Sequence, residues 1–188
     1  MRIHIPETHA ATPMAYLMSA HAVEIARAGA DFSKSVYVHS TFSLREFEAA
    51  RVRTAQINGC AMCKTWRSAR DVPGYLESIG AAGHTSVVGN GPAPDEAFYL
   101  NVAKWRDSDI FTERERVVIE YAELMGLDPD GMAFNDDFWS RAKAVLSDSE
   151  VVEMGFSIGS WIGFGRLIHV LGLDGATACQ IERGSAPA

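Results

Sequence analysis

The sequence predicts an all-α fold in a single domain that spans residues 1–188. Apolar residues recur at helical spacing along most of the chain, and only residues 36–38 resemble a strand, with no second strand to pair with. Three capping boxes, in which serine or threonine is followed three residues later by glutamate, mark helix starts at Ser43, Thr112 and Ser147. An apolar content of 47% over 188 residues is enough to fill one hydrophobic core.

The first 42 residues contain an arm and one clear helix. We expect residues 1–11 to form the arm and a helix to begin at Pro13, because proline is favoured in the first turn of a helix. Gly29 then ends this Ala-rich helix. Residues 31–42 carry no clear pattern, and we assign them to a short helix or a loop.

A helical hairpin is predicted next. Its first helix begins after Ser43 and ends at Asn58 and Gly59, a pair that favours a chain reversal. Its second helix runs from there to about Asp71. The charged residues of the first helix are expected mostly on its solvent side: Arg45, Glu46, Arg51 and Arg53.

Turn-forming residues and then further helices follow the hairpin. Residues 74–95 hold several glycines and prolines and are assigned to a loop, with room for one short helix near its start. A helix over 95–105 comes next. Three more helices are expected to begin after Thr112, Asn135 and Ser147.

The last of these helices, from residue 151 to about 171, is apolar on almost every side. Such a helix is buried in a core or between subunits, so we expect a homo-oligomer. Glycines spaced four residues apart, from Gly155 to Gly163, should let a neighbouring helix approach closely. Glu153 and Arg166 bracket the run too closely for a membrane-spanning helix. Residues 175–188 are expected to form a mobile tail.

Composition and charge limit the partners. A net charge of −7 and a pI of about 5.3 argue against binding nucleic acid or an anionic membrane surface. The N-terminus lacks the charged start and unbroken apolar segment of a signal peptide. We therefore expect a cytoplasmic protein, in which cysteine thiols start reduced.

Cys60 and Cys63 are the main chemical signal in the chain. Positions i and i+3 of a helix share one face, and a helix N-terminus stabilises a thiolate, so the pair predicts a redox-capable dithiol. No βαβ alternation accompanies it, which argues against a thioredoxin fold. No second CxxC exists to complete a zinc site, and Cys179 stands alone. We expect neither a metal nor a cofactor.

The segment around these cysteines resembles the AhpD-like branch of the carboxymuconolactone decarboxylase family. Glu48, eleven intervening residues and the CxxC inside RTAQINGCAMC carry the resemblance, which covers about residues 44–71. It implies an AhpD-like all-helical fold, obligate oligomers (trimer or hexamer) and a thiol-dependent alkylhydroperoxidase. Glu48, Cys60 and Cys63 would be catalytic, with Cys63 attacking the peroxide and Cys60 resolving it. The implied partners are a hydroperoxide substrate and an external dithiol or protein thiol reductant.

Arg67 departs from the family pattern, which places a proton-relaying histidine four residues after the second cysteine. A rise of about 1.5 Å per residue puts Glu48 and Arg67 at similar heights on the two arms of the hairpin. We therefore expect an ion pair between them, with Arg67 in a supporting role. Arginine cannot relay protons. His84 and His169 are candidates for a replacement carrier, although an ordinary hydrogen-bonded or surface histidine is the simpler interpretation of each.

The sequence leaves three points open. The helix dipole favours Cys60 as nucleophile, whereas the resemblance favours Cys63, and we follow the resemblance. The first alternative function is a non-catalytic or redox-sensing helical oligomer of the same family. A second alternative is a decarboxylase or a related lactone enzyme. The cysteines count against it, because members of that type typically lack the CxxC and use a histidine.

Overall fold

The computed structural model describes residues 1–175, which form helices and loops without a β-strand, so the all-α prediction is confirmed. Short 3-10 helices lie at Glu7–His9, Val87–Gly89 and Val102–Asp107. The α-helices are α1 (Pro13–Ala20), α2 (Val23–His39), α3 (Leu44–Asn58), α4 (Ala61–Thr65), α5 (Ser68–Ser78), α6 (Glu96–Asn101), α7 (Glu113–Leu127), α8 (Pro129–Ala133), α9 (Asp136–Val145) and α10 (Asp148–Val170). The expected tail lies, apart from Gly175, outside the described residues.

All three capping boxes are present at the starts of α3, α7 and α10. In each, the hydroxyl of the cap residue accepts the backbone N–H of a glutamate, whose carboxylate accepts the N–H of the cap residue. The pairs are Ser43 with Glu46, Thr112 with Glu115, and Ser147 with Glu150. A cap of this kind stabilises a helix by roughly 0.5–2 kcal/mol, and these helices form the centre of the domain.

Helix α3 lies between α7 and α10. Phe47 of α3 is fully buried, with its ring centroid 4.9 Å from that of Trp161 on α10. Val118 and Ile119 of α7 are also fully buried. Each such side chain contributes about 1.5–3 kcal/mol when it leaves water. Helix α3, which leads into the CxxC segment, is therefore held on both sides by other helices of the core.

The N-terminal helices differ from the prediction. The first helix ends at Ala20, and Ala22 has a left-handed backbone (φ 45°) before α2 begins. Gly29 does not end a helix but lies inside α2. A Cβ atom there would come within 3.0 Å of the Phe164 ring on α10, so this glycine permits close packing of two helices. Residues 31–39, assigned to a short helix or loop, continue α2.

Helix α10 buries one side and exposes the other. Met154 and Ile158 lie in the core. Glycines 155 and 159 face Tyr121 and Met125 of α7, as expected for close approach, whereas a Cβ atom at Gly163 would meet nothing within 4 Å. The outer side, which we call the α10 face, is apolar and exposed at Val152, Phe156, Leu167 and Val170. Within residues 1–175, no helix is both long and apolar enough to cross a membrane.

Candidate redox site

Cys60 and Cys63 are joined by a disulfide at the start of α4, with their Cα atoms 5.3 Å apart. Gly59 ends α3 in a left-handed conformation (φ 72°), which confirms the predicted reversal. Cys60 is the cap residue of α4, and its Sγ accepts the backbone N–H of Cys63 at 3.2 Å. The CxxC at a helix N-terminus is therefore confirmed.

The two sulfurs have different surroundings. Cys60 is fully buried, in a cluster with Ile168 and Leu173 at the end of α10. Cys63 is partly exposed and lies at the edge of the same cluster. Apolar side chains of the N-terminal arm and α1 also pack there: Ile3, Ile5, Met14 and Leu17. An incoming molecule can therefore reach Cys63 more readily than Cys60.

Glu48 is a fully buried carboxylate in the middle of α3. Its Oε1 lies 2.5 Å from Arg51 Nε and accepts the Ser68 hydroxyl at 2.6 Å, and its Oε2 accepts the Tyr99 hydroxyl at 2.7 Å. Burial alone would raise the pKa of Glu48, but the charge of Arg51 and these hydrogen bonds outweigh it and lower that pKa. Glu48 is thus held as an anion.

Arg51 connects this carboxylate to the CxxC segment. It is 3% exposed, and besides its two bonds to Glu48 it donates to the carbonyl of Cys63 at 2.8 Å and to that of Trp66 at 2.7 Å. The expectation that Arg51 faces solvent was wrong. Its position three residues after Glu48 on one helix is the sequence signal that could have identified the pair.

The predicted ion pair between Glu48 and Arg67 is absent. Arg67 instead pairs with Glu96, with Nε 2.9 Å from Oε1, and its guanidinium lies 3.8 Å from the centre of the Tyr99 ring. The hairpin argument assumed one helix from Cys60 to about Asp71, but the chain is extended at Trp66 and Arg67, between α4 and α5. This break brings Ser68, rather than Arg67, onto the Glu48 carboxylate.

Of the two histidines considered as replacement proton carriers, only His169 lies near the CxxC segment. His84 lies in an exposed loop and lines a cleft of about 600 Å³ to which Glu48, Cys60 and Cys63 do not contribute. His169 lies against the CxxC segment, beside Gly59. Cys179 lies outside the described residues. Among residues 1–175, no three His, Cys, Asp or Glu side chains are grouped so that they could hold a metal ion.

Comparison with known proteins shows a likeness in fold to a solved structure. No protein-family model and no curated protein sequence matches the chain significantly. A crystal structure of a protein of unknown function from Agrobacterium tumefaciens, provisionally assigned as the antioxidant defence protein AhpD, superposes with a TM-score of 0.59. The likeness covers 91% of this chain and 94% of that one at 22% sequence identity. The chain therefore has the fold of that protein, and the AhpD-like resemblance seen in residues 44–71 is confirmed at the level of the fold.

Proposed function

We propose that the protein is a thiol-dependent hydroperoxide reductase that uses Cys60 and Cys63 as its redox pair. The observation that carries the proposal is the disulfide at the start of α4, with one sulfur buried and the other partly exposed. A dithiol that can close in this way can pass two electrons to a peroxide. The AhpD-like fold and the likeness to a protein provisionally assigned to antioxidant defence support the same role.

The reaction has three steps. The Cys63 thiolate attacks one peroxide oxygen, the O–O bond breaks, and the alcohol leaves after taking up a proton, which leaves a sulfenic acid on Cys63. The Cys60 thiol then attacks that sulfur, the S–O bond breaks, and water leaves as the disulfide forms. An external dithiol or protein thiol of the cytoplasm reduces the disulfide by two exchange steps and is itself oxidised.

Glu48 and Arg51 have a supporting part in this scheme. The family resemblance implies a catalytic Glu48. An anion tied to a buried guanidinium is a poor proton donor near neutral pH, so in this scheme Glu48 does not relay protons. Arg51 fixes the backbone of the CxxC segment through the Cys63 and Trp66 carbonyls. Arg67, bound to Glu96 at the surface, supports the site through its contact with the Tyr99 ring and through hydrogen bonds to the Lys64 and Trp66 carbonyls.

Peroxide consumption in the presence of a dithiol tests the proposal. The protein with cumene hydroperoxide and dithiothreitol should consume the two in a one-to-one ratio over many turnovers. Consumption no faster than in a protein-free mixture of the same two reagents would refute it. Two observations favour the redox-sensing alternative. The Glu48 carboxylate is buried and bound to Arg51, and position 67 holds no histidine. It predicts one equivalent of peroxide consumed and no sustained turnover.

We also propose that the protein is a homo-oligomer, a trimer or hexamer, assembled through the α10 face. Four large apolar side chains exposed on one helix are more than a small monomer usually leaves in water.

Light scattering tests the assembly and should give a multiple of the 20.5 kDa chain mass. Phe156→Asp should shift the population towards monomer. Phe134→Asp, at an 87% exposed position outside this face, serves as the matched control and should not. A wild-type monomer at micromolar concentration would contradict the assembly.

A further inference from the structure

His169 and Asp174 form a polar pair against the CxxC segment. His169 Nδ1 lies 3.0 Å from Asp174 Oδ2, at the point where α10 ends and the chain turns. The same oxygen accepts the backbone N–H of Ala61, the residue after Cys60, at 2.8 Å. One carboxylate oxygen therefore joins the histidine to the first turn of α4.

The ionisation of Asp174 fixes which nitrogen of His169 carries the proton. Burial acts to raise the pKa of Asp174, but the hydrogen bonds from His169 and from the Ala61 N–H outweigh it and leave that pKa below its usual value. A carboxylate can only accept, so Nδ1 must donate to it. In the neutral ring, Nε2 then carries the lone pair and can accept a proton.

Nε2 points towards the residue that precedes Cys60. A Cβ atom added to Gly59 would lie 3.2 Å from Nε2, so the ring edge is in contact with the turn that leads into the CxxC. Ile168 and Leu173, which directly precede His169 and Asp174 in the chain, pack in the same cluster as Cys60. The side chain of His169 is 48% exposed, so the ring can also exchange protons with water.

We infer that His169, oriented by Asp174, exchanges the proton of the resolving Cys60 thiol and so replaces the histidine that the family resemblance expects at position 67. The inference rests on the proposed function. A thiol buried among apolar side chains resists ionisation, so Cys60 needs a base to attack the Cys63 sulfenic acid. The Cys60 proton moves to Nε2, the S–S bond forms as the S–O bond breaks, and the departing hydroxide takes that proton to become water. Asp174 is a positioning residue in this step.

The inference is tested by timing disulfide closure separately from the attack on peroxide. In a single turnover of the reduced protein with cumene hydroperoxide, His169→Ala should form the Cys63 sulfenic acid at the wild-type rate. It should close the disulfide about 100-fold more slowly, the lower end of what a positioned acid or base contributes. A dione probe should then trap the sulfenic acid, and added imidazole should restore closure.

Asp174→Asn should slow closure less than His169→Ala does, because the asparagine amide oxygen still accepts a hydrogen bond but carries no charge. His84→Ala, at a histidine in an exposed loop, is the matched control and should change nothing.

Several outcomes overturn the inference. One is closure in His169→Ala at the wild-type rate, and another is slow closure that imidazole does not restore, which would indicate a merely structural role. If His169→Ala fails to fold, His169→Gln and Asp174→Asn decide, and normal closure in both counts against it. Failure of the proposed function is a distinct result, in which the reduced wild-type protein forms no sulfenic acid and consumes no peroxide.

Discussion

Cys63→Ser should reduce hydroperoxide turnover to the rate of buffer alone, because serine has no thiolate to attack the peroxide. Cys60→Ser should still react once, since Cys63 remains partly exposed, but it cannot close the disulfide and should stop after one equivalent. Cys179→Ser keeps the redox pair and should retain wild-type turnover. Sustained turnover is assayed with cumene hydroperoxide and dithiothreitol. The single-equivalent reaction is assayed on the reduced variant after dithiothreitol is removed, because dithiothreitol also reduces a sulfenic acid. Folding is checked by circular dichroism.

The same three variants decide which cysteine attacks. The helix dipole and the N–H bond from Cys63 to the Cys60 sulfur act to favour a thiolate on Cys60, whereas its burial among apolar side chains opposes ionisation. Accessibility favours Cys63 instead, because Cys60 is fully buried. If Cys60→Ser shows no single-equivalent reaction while Cys63→Ser retains one, the order of the two cysteines is reversed. If all three variants match the wild type, the cysteines are not the peroxidatic groups.

Arg51→Met should lower the free energy of unfolding by about 3–5 kcal/mol, because it leaves the fully buried Glu48 carboxylate without its counter-ion. The chain offers a matched control in Glu24 and Arg27, which also lie three residues apart on one helix but at 81% and 65% exposure. Arg27→Met should cost at most about 1 kcal/mol, since exposed pairs contribute little. Urea unfolding at equal protein concentration measures both.

A further variant separates the charge effect from loss of packing. Replacing both buried partners, as in Glu48→Leu with Arg51→Met, removes the unpaired charge and should recover part of the lost stability. Arg51 also donates to the Cys63 and Trp66 carbonyls, so the recovery should be incomplete. An Arg51→Met loss no larger than that of Arg27→Met would mean that Glu48 is solvated or protonated in the folded protein, contrary to its burial here.

Local signals predicted much of the fold. The capping boxes at Ser43, Thr112 and Ser147 mark true helix starts, because a cap is a contact between residues three apart and needs no tertiary context. Gly29 was misinterpreted as a terminator because its reason is tertiary. The ring of Phe164, more than a hundred residues away, leaves no room for a side chain there.

In the candidate site, too, local features could be predicted from the sequence and tertiary contacts could not. The CxxC turn could be predicted from adjacent residues, since Gly59 and the cysteine spacing define it. Two partners of Glu48, Ser68 and Tyr99, could not, because a two-residue extended break before Ser68 shifts the residues that follow it, and Tyr99 comes from a separate helix. Asp174 likewise reaches the N–H of Ala61 across 113 positions, and no pattern in the sequence indicates that contact.

The most direct test of the central claim is a single turnover of the fully reduced protein with one equivalent of cumene hydroperoxide. The account predicts one equivalent of alcohol and a fall from three free thiols to one. The loss of two hydrogens should appear in the tryptic peptide of residues 54–64, which contains both Cys60 and Cys63. Unconsumed peroxide with three thiols remaining, or oxidation confined to Cys179, would contradict it.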